Sequence, residues 1–261
     1  MGGMRLSTTE TSGRSLDDRL TELTEACRIL EMEGHGEMTL GHMSIRDPDD
    51  RGAWIKRSDI SFAEVRGPDD FVLVDYDGKV LAGSGARHAE WPIHTEIYRA
   101  RPEIQSVAHT YPFYASVLGA TAAPIAAVTR ECCYFEGRVA RYSLTSNLIS
   151  TPELGRGVAD VLGPHYVMLM HNHGVTFCGR NVAECLVVGL MLERVCNVMV
   201  VLNASGLDWS AAREAGEMQP AVGVIPEHET ARFWNYYRRK LVRVASQMPV
   251  RVAHGISRNA G

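Results

Sequence analysis

The segment 182–203, VAECLVVGLMLERVCNVMVVLN, puts the tightest constraint on the fold. Asn181 precedes it as a helix N-cap, and the predicted helix is apolar almost all round. Such a helix has to be covered on most of its surface. No stretch of about 18 uninterrupted apolar residues occurs, so no membrane span is expected. The cover must come from other parts of a chain of 261 residues, long enough for a sizeable core.

Those parts are legible as elements. Ser15 caps a first helix, because Leu16, Leu20, Leu23, Cys27 and Leu30 recur at helical spacing, and Gly34 and Gly36 stop it. MTLGHMSIRD and AWIKRSDISF read as strands around a turn at Pro48 to Gly52. FVLVDYDGKVLAG reads as a hairpin with a type I′ turn at Asp77-Gly78. Residues 89–101 are helical, with Pro92 tolerated in the first turn and Pro102 ending the run. IQSVAH is a strand, PFYASVLGA a short helix, and TPELGRGVADVLG a helix with Thr151 as cap and Pro152 at its first position. YVMLMHNH is a second apolar strand. A last helix runs from about Pro226 to Val244 and packs through Phe233, Trp234 and Tyr237. Strands and helices mix without strict βαβ alternation. This favours a three-layer α/β domain with a mostly antiparallel, mixed sheet.

No internal repeat or linker divides the chain. The reading is a polar, disordered N-terminal tail over 1–14, one domain over 15–250 and a flexible tail over 251–261. The start, MGGMRLSTTETSGRS, has no apolar core of a secretory signal. The net charge of −4 offers nothing to a polyanion, so no nucleic-acid partner is expected. Cys27, Cys132, Cys133, Cys178, Cys185 and Cys196 lie mostly in apolar runs without zinc-like spacing. They read as reduced core residues of a cytoplasmic protein.

Chemistry concentrates at strand ends. His109 follows the apolar SVA, and Tyr111 sits two residues on, on the same face of an extended chain. His171 and His173 follow YVML, and His94 lies four residues past Glu90. Imidazoles converging with a carboxylate suit a divalent cation of the zinc, iron or manganese class. Separate hydrogen-bonded core histidines are the competing reading, and no H-E-x-x-H motif is present.

GHMSIRD, then GARHAEWPIHTEIYRARPEIQSVAHTYPFYASVLGA, then LMHNHGVTFCG resemble in order the class II aldolase/adducin family, over about residues 20–205. The resemblance implies an α/β/α sandwich, a cyclic homotetramer and an active site near a subunit interface. It also implies a divalent metal on three histidines. Glu90 matches the catalytic acid/base, His109 the first ligand of an H-x-H pair and His173 the ligand of the NHG strand. Tyr111 stands where the second histidine belongs. His171, Tyr111 itself or His94 then fills the gap, or the metal is lost.

The family's phosphate-holding stretches are also changed. Gly41-His42 replaces GN, Lys56 to Asp59 replaces TPSG, and Arg87 to Glu90 replaces PSSE. Asp59 would repel a phosphate. His42, Lys56, Arg57, Arg87 and His88 instead suit a carboxylate or phenolate oxygen, with solvated or paired surface charges the competing reading for Arg57 and Arg87. Tyr111, Phe113, Tyr114, Tyr134 and Phe135 cluster around the presumed site, where they either pack on a substrate ring or belong to the core.

The resemblance therefore implies a metal-dependent carbon–carbon lyase with Glu90 and Tyr111 catalytic. The expected reaction is decarboxylation of a hydroxylated aromatic or heteroaromatic acid through a metal-stabilised enolate. A retro-aldolase on a non-phosphorylated substrate, a non-haem iron oxygenase of an aromatic 2-oxo acid and a non-enzymatic adducin-like domain are the other readings.

Overall fold

The computed structural model describes residues 14–209 and 225–247. The expected tails, save Arg14, fall outside these residues. Eight strands form one sheet in the order β4-β3-β2-β1-β5-β8-β7-β6. They are β1 His42–Arg46, β2 Gly52–Lys56, β3 Phe71–Asp75, β4 Val80–Ala82, β5 Ser106–Thr110, β6 Val139–Tyr142, β7 Val167–Met170 and β8 Val175–Gly179. Every neighbouring pair is antiparallel except β6 and β7.

Helices cover both faces. One layer holds α1 (Leu16–Met32), α3 (Phe113–Gly119), α5 (Val182–Ser205) and α6 (Glu227–Gln247). The other holds α2 (Trp91–Ala100) and α4 (Pro152–Leu162), packed on each other. The strands alternate accordingly. Met43, Ile45 and Ala108 join the α1/α5 core, while Val107, Met168 and Cys178 join the α2/α4 core. The expected sandwich with a mostly antiparallel sheet is what forms.

α5 is the buried axis. Asn181 caps it by accepting the Glu184 N–H at 2.8 Å, and Gly206 ends it at φ +67°. It is long and apolar enough to cross a membrane, yet 61% of its most apolar window is buried within this fold. All six cysteines are buried and free.

Several boundaries differ from the sequence reading. β1 begins only at His42 and β2 ends at Lys56; Arg57 to Ser61 turn into a short 3₁₀ helix, Phe62–Glu64. The β3–β4 turn is not type I′. That type needs positive φ at two successive residues, and here Gly78 alone has it, at +84°. β6 and β8 were not anticipated as strands. α6 extends past Val244 to Gln247.

α2 follows Glu90, and its C-terminal end is fixed. The buried Arg46 guanidinium donates to the carbonyls of Tyr98, Arg101 and Ile104, satisfying groups at the helix C-terminus. α4 approaches α2 closely at Gly155. A Cβ there would lie 2.7 Å from the Pro92 oxygen and 2.8 Å from its Cβ. Alanine gains about 1 kcal/mol of helix propensity over glycine. Overpacking against rigid backbone costs about 1–3 kcal/mol, so the clash outweighs the gain. Gly155→Ala should lower the urea midpoint; a midpoint at or above the parent's would show that the helices part freely.

Candidate active site

Glu90 is the N-cap residue of α2, but its side chain makes no cap bond. The carboxylate points to the ends of β1, β5 and β7. One oxygen, Oε1, accepts the Ile149 N–H at 2.9 Å and lies 3.3 Å from His173 Nε2. The other, Oε2, lies 3.4 Å from the Tyr111 hydroxyl, 3.6 Å from His42 Nε2 and 3.8 Å from His109 Nε2. Tyr111 also meets His109 Nε2 at 3.0 Å. Four separate segments thus converge on one buried carboxylate.

The sheet sets this convergence. His42 of β1 and His109 of β5 are direct cross-strand partners, and His109 is also paired with Thr176 of β8. Directly opposite residues share a face. His109 Nδ1 meets Thr176 Oγ1 at 3.1 Å, which holds the ring with Nε2 toward Glu90. His173 sits in the β7–β8 turn, where its N–H donates to the Met170 carbonyl.

Burial controls protonation. It pushes His42 down to about 3 and His109 to about 4, so both are neutral at pH 7. Burial alone would raise Glu90. The polar edges of His173 and His42 and the other neighbouring imidazoles more than offset it, and the carboxyl is held well below the usual range. Burial, then the Glu90 charge, pushes the Tyr111 phenol up, so it stays protonated. His42 and His109 therefore face the Glu90 anion as neutral rings rather than as ion pairs.

Glu90, His109 and His173 each offer a ligand atom, and these lie within 4.8 Å of one another. Two imidazoles and a carboxylate are a donor set for zinc or a first-row transition metal. The His109–Thr176 contact matches the outer support that metal-bound imidazoles need. The residues present therefore fit a divalent cation.

Other expected site residues lie elsewhere. β7 ends at Met170, so His171 and His173 are not on one strand face; Asn172 between them has φ +52° and reverses the chain. His171 is exposed and outside the cluster. His94 is fully buried, but both ring nitrogens are engaged: Nε2 meets His42 Nδ1 at 2.7 Å and Nδ1 meets Ser44 Oγ at 2.7 Å. It is not a ligand substitute here. Lys56 is 0% exposed, with its ammonium donating to the carbonyls of Thr39, Arg57 and Ile60. It ties down the turn after β2 and is spent on backbone, not available to a substrate. Arg57 faces Asp59 and Asp70, and Arg87 lies over the Trp91 ring. Only His88, whose ring lies 4.4 Å from that of His42, stays near the centre.

The aromatic expectation also divides. Tyr111 is central, while Phe113 is 68% exposed against Tyr114. Tyr134 and Phe135 line a cleft with His165 and Tyr166, at the start of β7. That end is roughly 10 Å of strand from the histidine turn. Sequence reasoning missed Ser44, Tyr98, Thr176 and the Ile149 N–H. Their roles come from strand pairing and helix packing, and no local motif announces them.

Five buried histidines carry a stability consequence, His88 among them with its ring also pushed down by burial. His35, His42 and His94 are pushed down to about 3 and His109 to about 4, in each case first by burial. Their folded values lie below the unfolded value near 6.5. Between these limits the unfolded chain binds more protons, so stability falls as pH drops from about 6.5 toward 4. Urea midpoints of chelator-treated protein should decline steeply between pH 7.5 and 5; a flat profile would contradict buried neutral rings.

The comparisons agree with the fold. The Class II Aldolase and Adducin N-terminal domain family matches residues 21–200. A 3,4-dihydroxyphthalate decarboxylase from Rhodococcus jostii is 28% identical over 229 residues, 80% of this chain and 93% of its own. The meiotically up-regulated gene 14 protein of Schizosaccharomyces pombe is 29% identical over 189 residues, 71% of this chain and 73% of its own. An aldolase II superfamily protein from Pseudomonas syringae superposes with a TM-score of 0.75 at 24% identity, over 90% of this chain and 96% of its own. With this sheet order, these helical layers and a match over most of the sheet, the chain belongs to the class II aldolase and adducin family.

Proposed function

We propose that this chain is a metal-dependent lyase that decarboxylates a hydroxylated aromatic or heteroaromatic acid. The observation that carries the reading is Glu90, an anionic carboxylate buried against His42, His109, His173 and the Tyr111 phenol. A charge is placed at such cost only where it has partners or work. The near full-length similarity to a decarboxylase of a dihydroxylated aromatic acid supports the substrate class.

His109 and His173 would hold the cation, with Glu90 or Tyr111 completing the set. When bound, a divalent cation supplies an electron sink for the negative charge that carbon–carbon cleavage leaves behind. The protein's own residues do the rest. Glu90, ionised at rest, takes the proton of the substrate hydroxyl as that oxygen enters. Cleavage releases carbon dioxide and leaves the bond's electron pair on the substrate carbon. Glu90 returns its proton to that carbon, so the carboxylate is regenerated. Tyr111 donates its O–H toward the same oxygen cluster and keeps Glu90 oriented. His42 and His88 would face the departing or a second carboxylate. The family resemblance adds a homotetramer as the working assembly.

The test is carbon dioxide release from a panel of hydroxybenzoate dicarboxylates, with zinc, manganese or iron, in the presence and absence of oxygen. Oxygen-independent release supports the reading. Release that requires oxygen would replace it with an oxygenase. Aldehyde release from hydroxy-carbonyl compounds would replace it with a retro-aldolase. Cation-free, inert protein would point to an adducin-like binding domain.

A further inference from the structure

His42 Nε2 is fully buried, faces Glu90 at 3.6 Å and has no hydrogen-bond partner. Behind the ring runs an unbroken polar chain. His42 Nδ1 meets His94 Nε2 at 2.7 Å, His94 Nδ1 meets Ser44 Oγ at 2.7 Å, and Ser44 Oγ meets the Tyr98 hydroxyl at 2.8 Å. All four side chains are buried between β1 and α2.

A chain of neutral donors and acceptors can be ordered in two directions. In one, Tyr98 donates to Ser44, Ser44 to His94 Nδ1, and His94 Nε2–H to His42 Nδ1. His42 then carries its hydrogen on Nε2, beside the Glu90 anion. In the reverse order a bare Nε2 lone pair faces that anion, and the Tyr98 O–H loses its acceptor within the chain. The Val107 carbonyl also lies beside the His94 ring. The two buried mismatches of the reverse order weigh for the first.

We propose that His94, backed by Ser44 and Tyr98, is a positioning residue that fixes the Nε2–H tautomer of His42, making His42 a hydrogen-bond donor to an anionic substrate oxygen rather than a cation ligand. This rests on the lyase reading for the identity of the substrate, a carboxylate or phenolate. The tautomer itself does not depend on turnover. An N–H that already has its direction meets an oxyanion without reorganisation. A phosphate dianion, needing several convergent donors, gains little from one.

Long-range proton–nitrogen NMR on the full chain, labelled with ¹⁵N-histidine and zinc-loaded, reads the tautomer. His42→Gln identifies the His42 signals. The expected result is Nε2–H in the parent, and in Ser44→Ala a shift of the tautomer ratio toward Nδ1–H of about tenfold. Ser44→Thr, which keeps the hydroxyl, restores the parent ratio. With an active substrate, Ser44→Ala raises KM more than it lowers kcat. Nδ1–H in the parent, or a ratio untouched by Ser44→Ala, overturns the proposal. The parent measurement decides even if Ser44→Ala fails to fold. Inactivity on every carboxylate, with the tautomer as expected, would defeat the lyase reading alone.

Discussion

Glu90→Gln should lower kcat by about 10²- to 10⁴-fold while fold and cation content persist. The variant is nearly isosteric. Its amide oxygen can still accept the Ile149 N–H that anchors Oε1 in the parent. Its amide nitrogen would face Tyr111 and His42, where the parent presents an anion. What disappears is the capacity to take up and return a proton. The measurements are kcat, thermal midpoint and bound cation by elemental analysis. Unchanged turnover would remove Glu90 from the reaction. A large loss of cation with intact folding would instead make it chiefly a ligand.

His109→Ala should reduce cation affinity by more than about 100-fold, beyond what loss of an outer-shell partner costs. Its Nε2 is one of the clustered ligand atoms, and its ring is wholly buried beside Thr176. His171→Ala is the matched control. That side chain is exposed, and the turn at Asn172 separates it from the cluster, so affinity should stay at the parent value. Equal losses in both variants would place the cation elsewhere. Tyr111→Phe should be milder in affinity, since the protonated phenol is a weak ligand, and should show its effect in kcat.

Much of this site could be read from the chain, and the reasons are specific. His109 and His173 stand out because each follows an apolar strand, where a polar side chain has few structural uses, whereas Glu90 was singled out by the family resemblance. α5 was legible from apolarity alone. Lys56 was misread because a cation in a motif-replacing stretch looks like a ligand group. Only the turn after β2 reveals the carbonyls that consume it. His94 was misread because helical spacing places it near Glu90 but cannot show that Ser44 and His42 occupy both its nitrogens. His171 failed by one backbone reversal. β6 and β8 were missed because their short segments become strands only when β7 and β5 supply the pairing.

The direct opposition of His42 and His109 across β1 and β5 also bears on how the sheet assembles. Sliding one strand by a single position would turn every side chain over. His42 and Ser44 would enter the oily layer under α1 and α5, and Met43 and Ile45 would emerge among imidazoles. The polar groups of the candidate site thereby penalise mispairing while the chain is still folding, so replacing them with hydrophobic residues would leave the strand register ambiguous.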